Sequence, residues 1–183
     1  MEYKMTIAGV ERALPLCPIS DTCMIGAFVI FGDPELTTAC ADALLKIAPE
    51  YDYMISAEAK GIPLIHEMAR LAGNQTYFLA RKAPKLYMTG VFEARVRSIT
   101  TEREQTLYLD TADAEKMRGK RILLVDDVIS TGESLHAIEE LVSLAGGKIV
   151  GKMAILAEGD ACDRKDILYL EKLPLFDRNG QPL

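Results

Sequence analysis

The chain has 183 residues, 49% of them hydrophobic, and a formal net charge of −6. That length and apolar content suit one domain with a sizeable buried core. The acidic balance excludes general nucleic-acid binding, which needs a basic face, while leaving room for a local cationic pocket.

Taken in order, Met24–Phe31 is rich in Ile, Val and Phe and reads as a strand, turned by Gly32, Asp33 and Pro34. Leu36, Ala39, Cys40, Ala43, Leu44 and Ile47 follow at helical spacing, and that helix ends before Pro49. Tyr53–Ser56 is a short strand, and a helix runs from Gly61 or Ile62 to Leu71, closed by Gly73. Thr76–Ala80 is the next strand, and Arg81 opens a basic loop interrupted by Pro84. Ala94–Ile99 and Gln105–Leu109 carry strand formers on either side of a charged turn, and Ala112–Met117 makes a short helix. A continuous apolar run, Ile122–Val125, leads to Asp126 and Asp127, then to a helix over Gly132–Ala145 stopped by Gly146 and Gly147. Lys148–Leu156 is a further strand.

Strands alternating with amphipathic helices imply βαβ units and an α/β fold with a central parallel sheet. No internal repeat or low-complexity linker divides the chain, so residues 1–183 read as a single domain. The core covers about 33–160, and the segments 1–32 and 161–183 lie outside the repeating pattern and are expected to pack as a small cap, or hood.

Ligands of such sheets bind beyond the carboxyl ends of the strands. Three loops are expected there: Ala57–Gly61, Arg81–Lys85 and Asp126–Ser134. In the last, two carboxylates at a buried strand end precede Ser130-Thr131-Gly132-Glu133-Ser134, a hydroxyl-rich loop entering a helix N-terminus suited to phosphate. A strand–turn–helix with solvated acids is the plain alternative for any one loop, and the order of groups in Arg121–Ser134 argues against it.

The segment Arg121–Ser134 resembles the phosphoribosyl-diphosphate (PRPP) signature of type I phosphoribosyltransferases, in their adenine/xanthine purine branch. The resemblance covers roughly Tyr53 to Glu158. It implies the type I fold, and catalysis in which a purine base, adenine first, displaces pyrophosphate from PRPP to give a nucleoside monophosphate. Asp126 and Asp127 would serve the ribose hydroxyls and influence Mg²⁺, directly or through water. Ser130, Thr131, Gly132, Glu133 and Ser134 would hold the 5′-phosphate, with the Glu133 side chain turned away. Glu58, Ala59, Lys60 and Gly61 resemble the family's pyrophosphate loop, which often contains a cis peptide. Arg81, Lys82 and Lys85 match its Arg-Lys and Lys-Leu cations, which also meet pyrophosphate. A homodimer is implied. The loop Met88–Glu104 would close over the reaction, and it lacks the Glu-Tyr-Gly element of adenine enzymes around Ser98–Glu102. A xanthine-, hypoxanthine- or guanine-specific enzyme, or a non-catalytic PRPP-binding regulator, is the alternative.

Cys17, Cys23, Cys40 and Cys162 show no C-x-x-C spacing and no histidine partners, so reduced thiols are expected. The first residues lack the uninterrupted apolar segment of a signal peptide, and Met24–Phe31 is too short to cross a bilayer. A cytoplasmic protein with no membrane partner is expected. His66 and His136 have no acid or cysteine at catalytic spacing and read as structural or surface residues.

Overall fold

The computed structural model describes residues 1–97 and 104–183. Its centre is a five-stranded parallel sheet in the order Leu168–Leu173 (β10), Lys148–Glu158 (β9), Arg121–Ile129 (β8), Tyr53–Ala57 (β4), Phe78–Ala80 (β5). Helices α1 (Pro34–Ile47), α2 (Ile62–Ala72), α3 (Thr111–Met117) and α4 (Glu133–Leu144) cover it.

The alternation of β8 shows how the layers form. Ile122 and Leu124 point into a core shared with Ile55, Phe78, Leu135, Ile138 and Leu141, with Leu107 and Leu109 joining from a hairpin. Leu123 and Val125 point the other way, into a core with Met54, Leu36, Leu44, Leu64, Ile65 and Met68. Both faces of the sheet are therefore buried, which is why Ile122–Val125 is apolar without interruption. The hairpin is β6 (Val91–Arg97) paired with β7 (Glu104–Asp110). Arg81 and Tyr108 exchange backbone hydrogen bonds of 2.7 and 2.8 Å, fastening its base to the loop after β5.

The N-terminal segment makes an antiparallel sheet of β1 (Glu2–Ile7), β2 (Val10–Pro18) and β3 (Met24–Gly26). The β1–β2 turn is formed by Ala8 and Gly9, both at positive φ (49° and 83°), the backbone twist that two-residue hairpins favour. Phe176 pairs with Met24 and is fully buried, so the C-terminal segment meets this sheet. Arg12 of β2 donates to Asp33 at 2.7 and 2.9 Å and to Glu35 at 2.8 Å, tying the sheet to the start of α1. Asp33 also caps α1 by accepting from the Leu36 N–H at 3.1 Å, with Pro34 just inside the helix.

Several expectations change. Of the expected strand Met24–Phe31, only Met24–Gly26 is strand. Its ladder with β2 ends where Gly26 is packed under Leu173, Leu14 and Phe176, and Phe28 and Ile30 are buried without pairing. Leu168–Leu173 was expected in the terminal cap; it instead pairs in parallel with β9, extending the central sheet. The stretch Ser98–Glu102, where the Glu-Tyr-Gly element is lacking, and most of the expected charged turn lie outside the described residues. No helix among the described residues is long and apolar enough to cross a membrane. Cys17, Cys23, Cys40 and Cys162 are all free.

Candidate active site

The carboxyl ends of β4 and β8 open on one cavity of about 280 Å³. Its walls include Glu58, Ala59, Lys60, Lys82, Asp126, Asp127 and the whole run Ser130–Ser134. Gly61 caps α2 directly beside it, with Asp126 Oδ1 3.3 Å from where a Cβ would stand. A Cβ there would also overlap Ser56 Oγ, so the close approach of loop and strand requires glycine. Arg81 and Lys85 do not line the cavity; they turn onto Glu58.

The acid pair sits within β8, not past its end, because pairing with β9 continues through Val128 and Ile129. Asp127 is buried, 4% exposed. Its N–H donates to Asp126 Oδ1 at 2.9 Å. Burial, then the neighbouring Asp127 charge, pushes the Asp126 carboxyl well above the ordinary aspartate range. Lys60 Nζ lies 3.2 Å from Asp127 Oδ2, close enough for an ion pair. That oxygen nevertheless has no hydrogen-bond partner, so the contact is electrostatic and lacks directed geometry.

The expected phosphate loop falls on a helix start that no side chain caps, with Gly132 at φ +80° as the N-cap of α4. The first intrahelical bond is His136 N–H to Gly132 O at 2.8 Å, and the helix dipole favours negative charge just ahead of it.

Glu58 plays a part the sequence did not foreshadow. Its carboxylate accepts from Arg81 Nη1 at 3.0 Å and from the Lys82 N–H at 3.1 Å, with Lys85 Nζ at 3.6 Å. Burial raises its pKa, but the Lys82 N–H and the Arg81 and Lys85 cations outweigh this and hold it below the ordinary glutamate value. The Glu58–Ala59 peptide is cis. Lys82 lines the cavity and makes no ion pair among the described residues.

Three residues near the cleft were missed. Ser56 is fully buried with an unpartnered hydroxyl. Glu158 ends β9; burial raises its pKa and nearby Lys60 lowers it. Its signal was an apolar strand run closing on an acid, as in β8. Arg164 reaches Gly132 and carried no local signal. His66 is exposed, its Nδ1 3.3 Å from the Tyr77 hydroxyl, and His136 lies 3.5 Å from Glu139; neither side chain lines the cavity.

Among the described residues no three His, Cys, Asp or Glu side chains cluster to hold a metal unaided. Two adjacent carboxylates, one with an orphaned buried oxygen, still suit Mg²⁺, which takes one or two carboxylates and completes its shell with water and substrate oxygens.

The phosphoribosyl transferase domain model matches residues 34–173. The chain belongs to the phosphoribosyltransferase family. It is 30% identical over 126 residues to an adenine phosphoribosyltransferase of Petrotoga mobilis, covering 67% of this chain and 69% of that one. It is also 30% identical over 158 residues to a hypoxanthine/guanine phosphoribosyltransferase of Methanococcus maripaludis, covering 82% and 81%. The solved adenine phosphoribosyltransferase of Thermoanaerobacter pseudethanolicus superposes with a TM-score of 0.71 at 19% identity, over 87% of this chain and 95% of that one. The fold of this phosphoribosyltransferase is accordingly the type I fold.

Proposed function

We propose that this phosphoribosyltransferase moves the phosphoribosyl group of PRPP onto a purine base, releasing pyrophosphate and leaving a nucleoside monophosphate. Adenine is the first choice of base, with xanthine, hypoxanthine or guanine behind it. The observation that carries this reading is the convergence of an acid pair with one buried member, an uncapped helix start and a cationic loop on one cavity.

In this reading the 5′-phosphate rests on the amides and hydroxyls of Ser130–Ser134, where the α4 dipole favours it. Asp126 and Asp127 accept from the ribose hydroxyls and would hold Mg²⁺ directly or through water. When bound, Mg²⁺ supplies positive charge to the departing pyrophosphate. The amides of Glu58–Gly61, with Lys60 and Lys82, grip the pyrophosphate, and Glu58 holds Arg81 and Lys85 beside it. Positioning and electrostatics suffice; no covalent nucleophile is needed.

Residues 1–183 act here as one catalytic unit, supported by the Met24–Phe176 pairing of the two terminal segments. A homodimer belongs to the same reading, supported by Leu86 and Tyr87, exposed apolar side chains beside the basic loop. Four free thiols support a reducing, cytoplasmic setting. The test is pyrophosphate release from PRPP and Mg²⁺ with adenine, guanine, hypoxanthine and xanthine offered separately. Release dependent on one base supports the reading and names the substrate; tight PRPP binding without release from any base overturns it in favour of a regulator.

A further inference from the structure

The segment after β9 places a guanidinium against the phosphate loop. Arg164 follows the short 3-10 turn Gly159–Asp163, and its Nη1 lies 2.6 Å from where a Cβ on Gly132 would stand. Arg164 is absent from the cavity wall, so it meets Gly132 from outside the cleft. The side chain is clamped there: Nε donates to Asp166 Oδ1 at 3.0 Å and Nη2 to Asp166 Oδ2 at 2.7 Å. Asp166 is itself gripped by Lys152 Nζ, which also donates to Glu139 of α4 at 2.6 Å. The chain Arg164–Asp166–Lys152–Glu139 thus runs from the tip of the loop to the helix behind it, crossing β9.

Two of the three guanidinium nitrogens serve Asp166, which leaves the Nη1 corner facing Gly132. A planar fork held on two points fixes the third. Gly132 is also the residue whose left-handed backbone turns the chain into α4. Any outward shift of Gly132 would therefore run into the guanidinium, while the N–H groups of the first helical turn must stay aimed into the cleft.

Resting on the proposed function, we propose that Arg164 is a positioning residue for the phosphate loop. Its clamped guanidinium buttresses Gly132, and so sets affinity for the 5′-phosphate end of the substrate but not for pyrophosphate or the base. A misplacement of reactive geometry by about 1 Å costs up to about a hundredfold, which bounds the effect.

The test compares wild type, Arg164→Gln, Arg164→Lys and Asp166→Asn in equilibrium binding of ribose 5-phosphate and, separately, of pyrophosphate with Mg²⁺. Steady-state KM values for PRPP and base, and a melting curve for each variant, accompany them. Arg164→Gln should weaken ribose 5-phosphate by roughly ten- to a hundredfold, raise the PRPP KM alongside, and leave pyrophosphate binding and the base KM within about twofold. Arg164→Lys should rescue only partly, because an ammonium cannot make the two-point contact with Asp166. Asp166→Asn leaves the arginine in place with a weaker clamp and should show the same selective loss at smaller size, which covers the case of a poorly folded Arg164→Gln. Folded variants that bind ribose 5-phosphate as wild type does, or that lose all ligands equally, would overturn the assignment of Arg164 alone. Wild-type protein that binds neither ribose 5-phosphate nor PRPP would overturn the proposed function and this assignment with it.

Discussion

Replacing Asp126 by asparagine should separate what the acid pair costs the fold from what it does in the reaction. Burial and the adjacent Asp127 charge raise the Asp126 pKa in the folded chain, only partly offset by the Asp127 N–H and by Lys60. A carboxyl whose folded pKa exceeds its unfolded value binds more protons folded than unfolded once pH passes the ordinary value of 3.8. Stability therefore falls as pH rises through that interval, and stays reduced above the folded pKa. Each unit by which a folded pKa exceeds its unfolded value costs about 1.4 kcal/mol above both, so the raised Asp126 carboxyl destabilises the fold at neutral and alkaline pH by an amount on the order of a few kcal/mol. For a chain of this size each kcal/mol corresponds to roughly 2–4 °C in Tm. Asparagine keeps an oxygen for the Asp127 N–H and removes the charge. Asp126→Asn should thus melt well above wild type near pH 8, with the gap closing as pH falls to about 3 and below, where both states are protonated. Calorimetric melts across that range, without PRPP or Mg²⁺, read the gap, and turnover should be lost in parallel. A gap that does not change with pH, or a variant less stable than wild type at pH 8, would refute the reasoning.

Gly61→Ala should destabilise by about 1–3 kcal/mol through overlap with Ser56 Oγ. Ser56→Ala in the same chain should restore most of that loss, since the hydroxyl is buried without a partner; strictly additive effects in a urea double-mutant cycle would exclude the overlap as cause. Glu58→Gln should release Arg81 and Lys85 and weaken pyrophosphate product inhibition by about tenfold, and tighter inhibition would contradict the organising role of Glu58. Because the Glu58 pKa is lowered on folding, its contribution to stability is present above the unfolded glutamate value and lost as pH falls through the folded one, so wild type and Glu58→Gln should converge in Tm under acid. Lys82→Ala should weaken pyrophosphate binding by roughly ten- to thirtyfold, the loss of one charge-assisted contact, while the base KM holds. An effect confined to the base KM would move Lys82 out of the pyrophosphate site.

The parts of this molecule legible in the sequence are those whose signal is local. Ile122–Val125 reads as a strand because both faces of the sheet are covered, and α1 reads from its apolar spacing and from Asp33 and Pro34 at its start. The acid pair and the run Ser130–Ser134 are legible because strand, loop and helix start are contiguous. What stayed hidden is long-range pairing. The partners of Glu58 lie more than twenty residues away, and Gly132 and Arg164 more than thirty. The strand Leu168–Leu173 carries charged and exposed residues because it is a sheet edge, so its pattern does not announce a core strand. The β1–β2 turn escaped notice because Ala8 occupies a left-handed position where Asn or Asp would have signalled it.

The hidden pairings bear on how a chain of net charge −6 receives a polyanion. Lys60 faces Asp127, and Arg81 and Lys85 face Glu58, so these cations around the cleft rest against carboxylates of the same chain. Such pairs keep the resting site from carrying uncompensated buried charge, the state that would be most costly. An incoming phosphate or pyrophosphate need not meet bare cations. Under the proposed function it would take over Lys60, whose partner Asp127 would then turn to ribose hydroxyls or to a metal ion, so that charge is exchanged and not added. Asp127 is where that exchange matters most, because its buried Oδ2 faces Lys60 without a directed hydrogen bond and is open to a better partner.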